Sequence, residues 1–144
     1  MNEHEEVEIT IAAMKSVGIN SKEAKEIFTV IAAILHLGNS KFTTKVDGGL
    51  DGCQIVNRSS SLEVARRFLQ IDHIAVEQCL TFRELQAMAP GGKTVTYQVP
   101  RNIAQAAARL DTLAKVMFER LFNLIVEQIN IALDSKGTLR FLNG

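Results

Sequence analysis

A charge of one sign is what this sequence lacks first. Its 16 Lys and Arg residues balance 16 Asp and Glu. No chain-wide field therefore favours nucleic acid or an anionic membrane surface, and any charged recognition must be local. Long apolar runs are nearly absent: Val30–Leu37 falls far short of the roughly 18–20 residues that cross a bilayer, so no membrane contact is expected from this segment. A basic leader is missing as well, since Glu3, Glu5, Glu6 and Glu8 crowd the N-terminus. Cysteine is scarce. Cys53 and Cys79 stand apart without metal or redox spacing, which reads as buried, reduced thiols in a cytosolic protein, with a disulfide as the alternative. Repeats, low-complexity tracts and internal linkers do not occur. What remains is 144 residues at 47% hydrophobic content, enough for one sizeable core: one domain, or a compact piece of a larger one.

The periodicity is mainly helical. A first helix is expected from about Glu5 to Ser16, with Val7, Ile11 and Met14 on one face and Gly18 as its stop. Asn20 and Glu23 make a capping-box pattern for a second helix ending at Gly38-Asn39. Its segment FTVIAAILHLG is apolar all round and is expected to be buried on most sides. His36 there reads as a hydrogen-bonded core histidine, because Ser40 at i+4 offers no second metal ligand. From Phe42 to Val56 the pattern changes to a loose strand (KFTTKV), a turn cluster (DGGLDG) and a return strand (CQIV). Asp47 and Asp51 read as a solvated turn, since the further acidic positions and closing Glu of a calcium loop are missing. Ser60 or Ser61 then caps a helix bearing Leu62, Ala65 and Leu69. Asp72, with His73 at the helix start, caps another bearing Val76, Cys79 and Leu80.

MAPGGKTVTYQVP, Met88–Pro100, ends its Gly-Gly-Lys-Thr like a phosphate-binding loop. Such a loop needs a glycine five residues before the second one, and Ala87 stands there. It must also open a helix, whereas Val95–Val99 is strand chemistry closed by Pro100. Arg83–Val99 is read instead as a protruding hairpin with Gly91-Gly92 at its tip. Asn102 with Gln105 is a third capping-box pattern, opening a helix over about 102–133. Its apolar set is Leu110, Leu113, Ala114, Met117, Phe118, Leu121, Phe122, Ile125 and Ile129, opposite an exposed ladder of Asp111, Lys115 and Glu119. A stripe that long needs more cover than the first hundred residues supply. The chain reads as part of something bigger.

Three segments together resemble the myosin motor head: IAAILHLGN (Ile31–Asn39), DTLAKVMFERLFNLIVEQIN (Asp111–Asn130) and, between them, GGKTVTYQVP in the place of that family's actin-touching loop. Thr112, Phe118 and Leu124 depart from the family's usual Ala, Tyr and Trp, which bears on packing more than on identity. The resemblance implies a mainly α-helical piece of the upper fifty-kilodalton subdomain, with one long C-terminal helix and a protruding β-like hairpin, inside the larger P-loop-type motor fold. It implies that the phosphate loop and first switch lie before Met1. The second switch would follow Gly144, with LRFLNG beginning its strand. MgATP would then be the cofactor of the parent motor, with no cofactor, metal or catalytic residue in this fragment, which by itself would be no enzyme.

The same resemblance implies an actin filament and the remainder of the motor as partners, in a cytoplasmic, cytoskeletal setting, and self-association of the isolated fragment. The actin contacts would come from Arg83, Lys93, Thr94, Val95, Thr96 and Tyr97; the competing reading is a surface hairpin whose Thr and Tyr are simply strand formers. Many unconventional myosins carry an acidic or phosphorylatable residue sixteen positions before the Asp of the long-helix motif. Here that position is Val95, flanked by Thr94 and Thr96, so a shift of one residue would make either threonine a phosphorylation site. From a different class comes the alternative of a stand-alone helical interaction module that uses the apolar face of the long helix.

Overall fold

The computed structural model describes residues 2–47, 50–56 and 60–135. Its elements run α1 (Glu3–Ser16), α2 (Ser21–Gly38), β1 (Phe42–Asp47), β2 (Leu50–Ile55), α3 (Ser60–Leu69), α4 (His73–Thr81), β3 (Phe82–Met88), β4 (Thr94–Pro100) and α5 (Ile103–Ser135). The two strand pairs are separate antiparallel hairpins. Helices dominate, as the periodicity predicts. LRFLNG and the Gly48-Gly49 part of the turn cluster lie outside the described residues; Leu50, Asp51 and Gly52 belong to β2 rather than to the turn.

Helix boundaries follow the capping chemistry. Asn20 Oδ1 accepts the Glu23 N–H at 2.9 Å and Glu23 returns its carboxylate to the Asn20 N–H at 2.9 Å. Asn102 and Gln105 repeat the exchange at 2.8 and 3.0 Å to start α5. Each box satisfies two N–H groups that the first helical turn leaves open. A third box, Asn2 with Glu5, starts α1 two residues earlier than its apolar period suggests. Asp72 caps α4 by accepting from Ile74 N–H at 3.2 Å. Gly18 ends α1 with φ +89°, a left-handed conformation that a Cβ disfavours.

Among the described residues, those up to Ile31 and from Val116 onward form one compact unit, and Ala32–Lys115 form a second; α2 and α5 each contribute to both. The first unit is thinly packed. It buries Ile19 and Ala24, while α1 buries nothing, leaving Val7 and Ile11 exposed. The second holds most of the core: Ala33, Ile34 and Leu37 of α2, Cys53 and Ile55 of β2, Leu62 and Ala65 of α3, Leu80 of α4, and Ala106 and Leu110 of α5. Gly52 lets the two hairpins meet, since a Cβ there would lie 3.2 Å from Pro100 Cβ. Glu77 of α4 ties in β2 by accepting the Ile55 N–H at 3.3 Å.

Three packing expectations need correction. The apolar segment of α2 is not enclosed on most sides: Ala33, Ile34 and Leu37 are buried, but Leu35 is 65% exposed and His36 only half-buried. The His36 ring has no hydrogen-bond partner among the described residues, so it is not the satisfied core histidine that its apolar setting suggests. Cys53 is buried but Cys79 is exposed, having fallen on the outer side of α4. The ladder Asp111, Lys115 and Glu119 is exposed as expected, yet forms no ion pair among the described residues, consistent with the small worth of hydrated pairs.

Candidate functional site

The β3–β4 hairpin is the part of the second unit with the least structural employment. Every residue of β3 is exposed, and β4 is exposed except for half-buried Val95, Val99 and Pro100. A two-stranded ribbon with no packed face is marginal in water, so its order must come from its two ends.

At the tip, the Gly92 N–H donates to Ala89 C=O at 3.2 Å across Pro90 and Gly91. Proline at the second position and a glycine with φ +96° at the third are the requirements of a type II turn. Gly92 follows with φ +76°, and the Ala89 N–H donates to Lys93 C=O at 2.8 Å to close the loop. The Gly-Gly therefore serves a reversal of the chain, and Lys93-Thr94 leads into a strand, not into a helix whose N–H groups could cradle phosphate. At the base, Arg101 acts twice: its backbone N–H donates to Thr81 C=O at 2.7 Å, and its side-chain Nε donates to Phe82 C=O at 3.1 Å. The sequence carried no local signal for that clamp, because it joins residues nineteen apart.

The register decides which residues share a face. Arg83 pairs with Val99, Leu85 with Tyr97 and Ala87 with Val95; Glu84 pairs with Gln98, Gln86 with Thr96 and Met88 with Thr94. Directly opposed residues lie on one side of an antiparallel ribbon and successive residues alternate. Arg83, Val95 and Tyr97 thus occupy one face, Thr94 and Thr96 the other, and Lys93 the turn between them. The six candidate residues share one hairpin but not one surface. Arg83 is also set apart along the ribbon, five strand residues below the tip, or roughly 17 Å at 3.4 Å per residue. Tyr97 (53% exposed) and Leu85 (42%) form an apolar pair on the first face, and Met88 is 80% exposed on the second.

Burial pushes the Cys53 thiol up from its ordinary value, and nearby Glu77 adds to the effect. Hydrogen bonding from Arg66 holds the Glu63 carboxyl below the usual range on the surface of α3. Among the described residues, no group of His, Cys, Asp and Glu has the arrangement of a metal site, and no helix is long and apolar enough to cross a membrane. In the first unit, Ile27 and Val30 of α2 and Leu121, Leu124 and Ile125 of α5 line an open apolar groove of about 370 Å³.

Comparison with known proteins adds a family. The family model described as the myosin head (motor domain) matches residues 1–142. Myosin-1 of Coccidioides immitis (strain RS) is 34% identical over 139 residues, covering 96% of this chain and 11% of its own length. The Myosin-K heavy chain of Dictyostelium discoideum is 35% identical over 131 residues, 91% of this chain and 14% of its own. The Myosin IB heavy chain of the same organism is 31% identical over 124 residues, 84% and 11%. The chain thus spans little more than a tenth of the length of these relatives.

Proposed function

The chain belongs to the myosin head (motor domain) family, and from that premise we propose that it is the upper fifty-kilodalton part of an ATP-driven actin motor. In this reading the β3–β4 hairpin meets the filament and α5 acts as a strut toward the nucleotide-sensing strand. The observation that carries the proposal is the hairpin itself: an exposed ribbon, ordered by a built turn and a clamped base, with apolar side chains on its surface and no core to support. Exposed apolar area on an ordered excursion is better explained by a partner than by stability. Lys93 supplies a point charge and Tyr97 contributes area plus a hydroxyl. Because the faces divide the six residues, a filament would engage Lys93, Val95 and Tyr97, with Arg83 farther down the same face, and make less use of Thr94 and Thr96, or the reverse.

MgATP belongs to the rest of the parent in this reading, whose setting is the cytoplasmic cytoskeleton, and this segment has no hydrolytic role of its own. A packed helix suits transmission because a close-packed interior resists compression, and it couples two sites only if both bias its position. Family membership lends no support to a stand-alone interaction module. Phosphorylation of Thr94 or Thr96, both exposed, would add up to about two negative charges near Lys93. Mass spectrometry of protein from its native cell, finding both threonines always unmodified, removes that part.

The test of the main proposal is actin co-sedimentation of the parent motor. Tyr97→Ala with Lys93→Ala should weaken filament binding by about tenfold, the sum of one apolar anchor and one partly screened charge. Binding should also fall as salt rises. Unchanged affinity in the double variant would remove the hairpin as the contact, and MgATP hydrolysis by this segment alone would contradict the division of labour.

A further inference from the structure

At the base of the hairpin lies a cavity of about 410 Å³, and of its lining residues only Arg83 is also a filament-contact candidate. Three of its lining residues are arginines from three different places in the chain: Arg83 in β3, Arg101 in the link to α5, and Arg109 in α5. Glu84 is the single carboxylate among its lining residues. Among the described residues, none of the three guanidinium groups has a carboxylate within ion-pair distance, Glu84 included. Arg101 spends its Nε on Phe82 C=O, while the Arg83 and Arg109 side chains make no hydrogen bond among the described residues. In a chain with no net charge, three unpaired arginines around one opening are a local concentration of positive potential, and like charges repel unless something anionic joins them.

We infer that this cavity is a carboxylate-recognition site that takes acidic side chains of an extended segment of a protein partner. Guanidinium groups present planar forks that match carboxylates two bonds at a time. The walls argue for a peptide over a free inorganic anion. Ala75 and Phe82, the latter 37% exposed, offer carbon that the methylenes of Glu or Asp can cover and that a bare oxyanion cannot. Glu84 in the lining also penalises a dianion more than a single carboxylate. The site does not depend on what the hairpin tip meets, since Lys93 and Tyr97 take no part in it.

Cys79 is exposed and lines the same cavity, whereas Cys53 is buried, so the site carries its own reporter. In the full-length protein, alkylation of Cys79 by neutral iodoacetamide is followed by site-resolved mass spectrometry, with a short alternating Glu-Gly peptide as probe. The Glu-Gly peptide should slow the reaction several-fold, and a Lys-Gly peptide of equal length should not. Combining Arg83→Gln with Arg109→Gln should raise the half-protecting concentration about tenfold, while Lys93→Ala leaves it unchanged. Protection is the ratio of rates with and without peptide within each variant, so the loss of two positive charges beside the thiol does not enter the comparison. Arg109→Lys, which keeps the charge and loses the fork, should also weaken protection. No slowing by the acidic peptide, equal slowing by the basic peptide or by inorganic phosphate at matched ionic strength, or protection indifferent to these substitutions would overturn the inference.

Discussion

Leu80 and Ser40 mark the two ways a single side chain sits in this core. Leu80 is fully buried at the end of α4, two residues before the hairpin begins at Phe82. Leu80→Ala should cost about 2–5 kcal/mol, the transfer of the lost methyls plus the cavity left behind. Urea denaturation should show the lower midpoint with little change in slope. Ser40 is the opposite case: its hydroxyl is buried just after α2 and has no hydrogen-bond partner among the described residues. Ser40→Ala should therefore be neutral or stabilising, because it removes a desolvated polar group and breaks no internal bond. A loss above about 1 kcal/mol in the same measurement would mean the hydroxyl is satisfied by something else. Leu80 was legible as an apolar position on a helical period. The orphaned hydroxyl was not, since serine after a helix normally reads as surface.

Capping chemistry was the most legible feature at the scale of elements, and it makes the sharpest prediction there. Asn102→Ala removes the acceptor for the Gln105 N–H and should destabilise the start of α5 by about 1 kcal/mol. Hydrogen exchange should show the loss concentrated in the first turn, whereas a uniform loss along the helix would contradict a capping role. These boundaries could be read from sequence because each cap closes within three residues. The hairpin was legible for the same local reason, with Pro90, Gly91 and Gly92 demanding a tight reversal. Its division into two faces was not, because alternation tells which residues of one strand share a side, while the pairing that aligns the second strand is set by the loop. The Arg101 clamp was also invisible, as it needs the hairpin closed before its two ends meet.

At the scale of the whole chain, several large apolar side chains stay exposed among the described residues. Phe118 (54% exposed), Phe122 (56%) and Leu124 (62%) lie on α5, and Leu35 (65%) on α2. Patches of this kind mark surfaces built for further protein. The isolated chain should therefore self-associate, and sedimentation velocity should give a mass that rises with concentration. A monomer across the accessible range would contradict that expectation. By itself the sequence determined the helical character, the capped starts of α2, α4 and α5, the hairpin and its tip, and the family, because each is written in short-range periodicity, turn chemistry or a contiguous motif. Only the tertiary structure decided which apolar residues are covered, that His36 and Cys79 are not enclosed, how the candidate contacts divide between two faces, and that three distant arginines line one cavity. Those properties depend on neighbours supplied by remote segments. Periodicity tells a residue which side of its own element it occupies, but not what stands opposite.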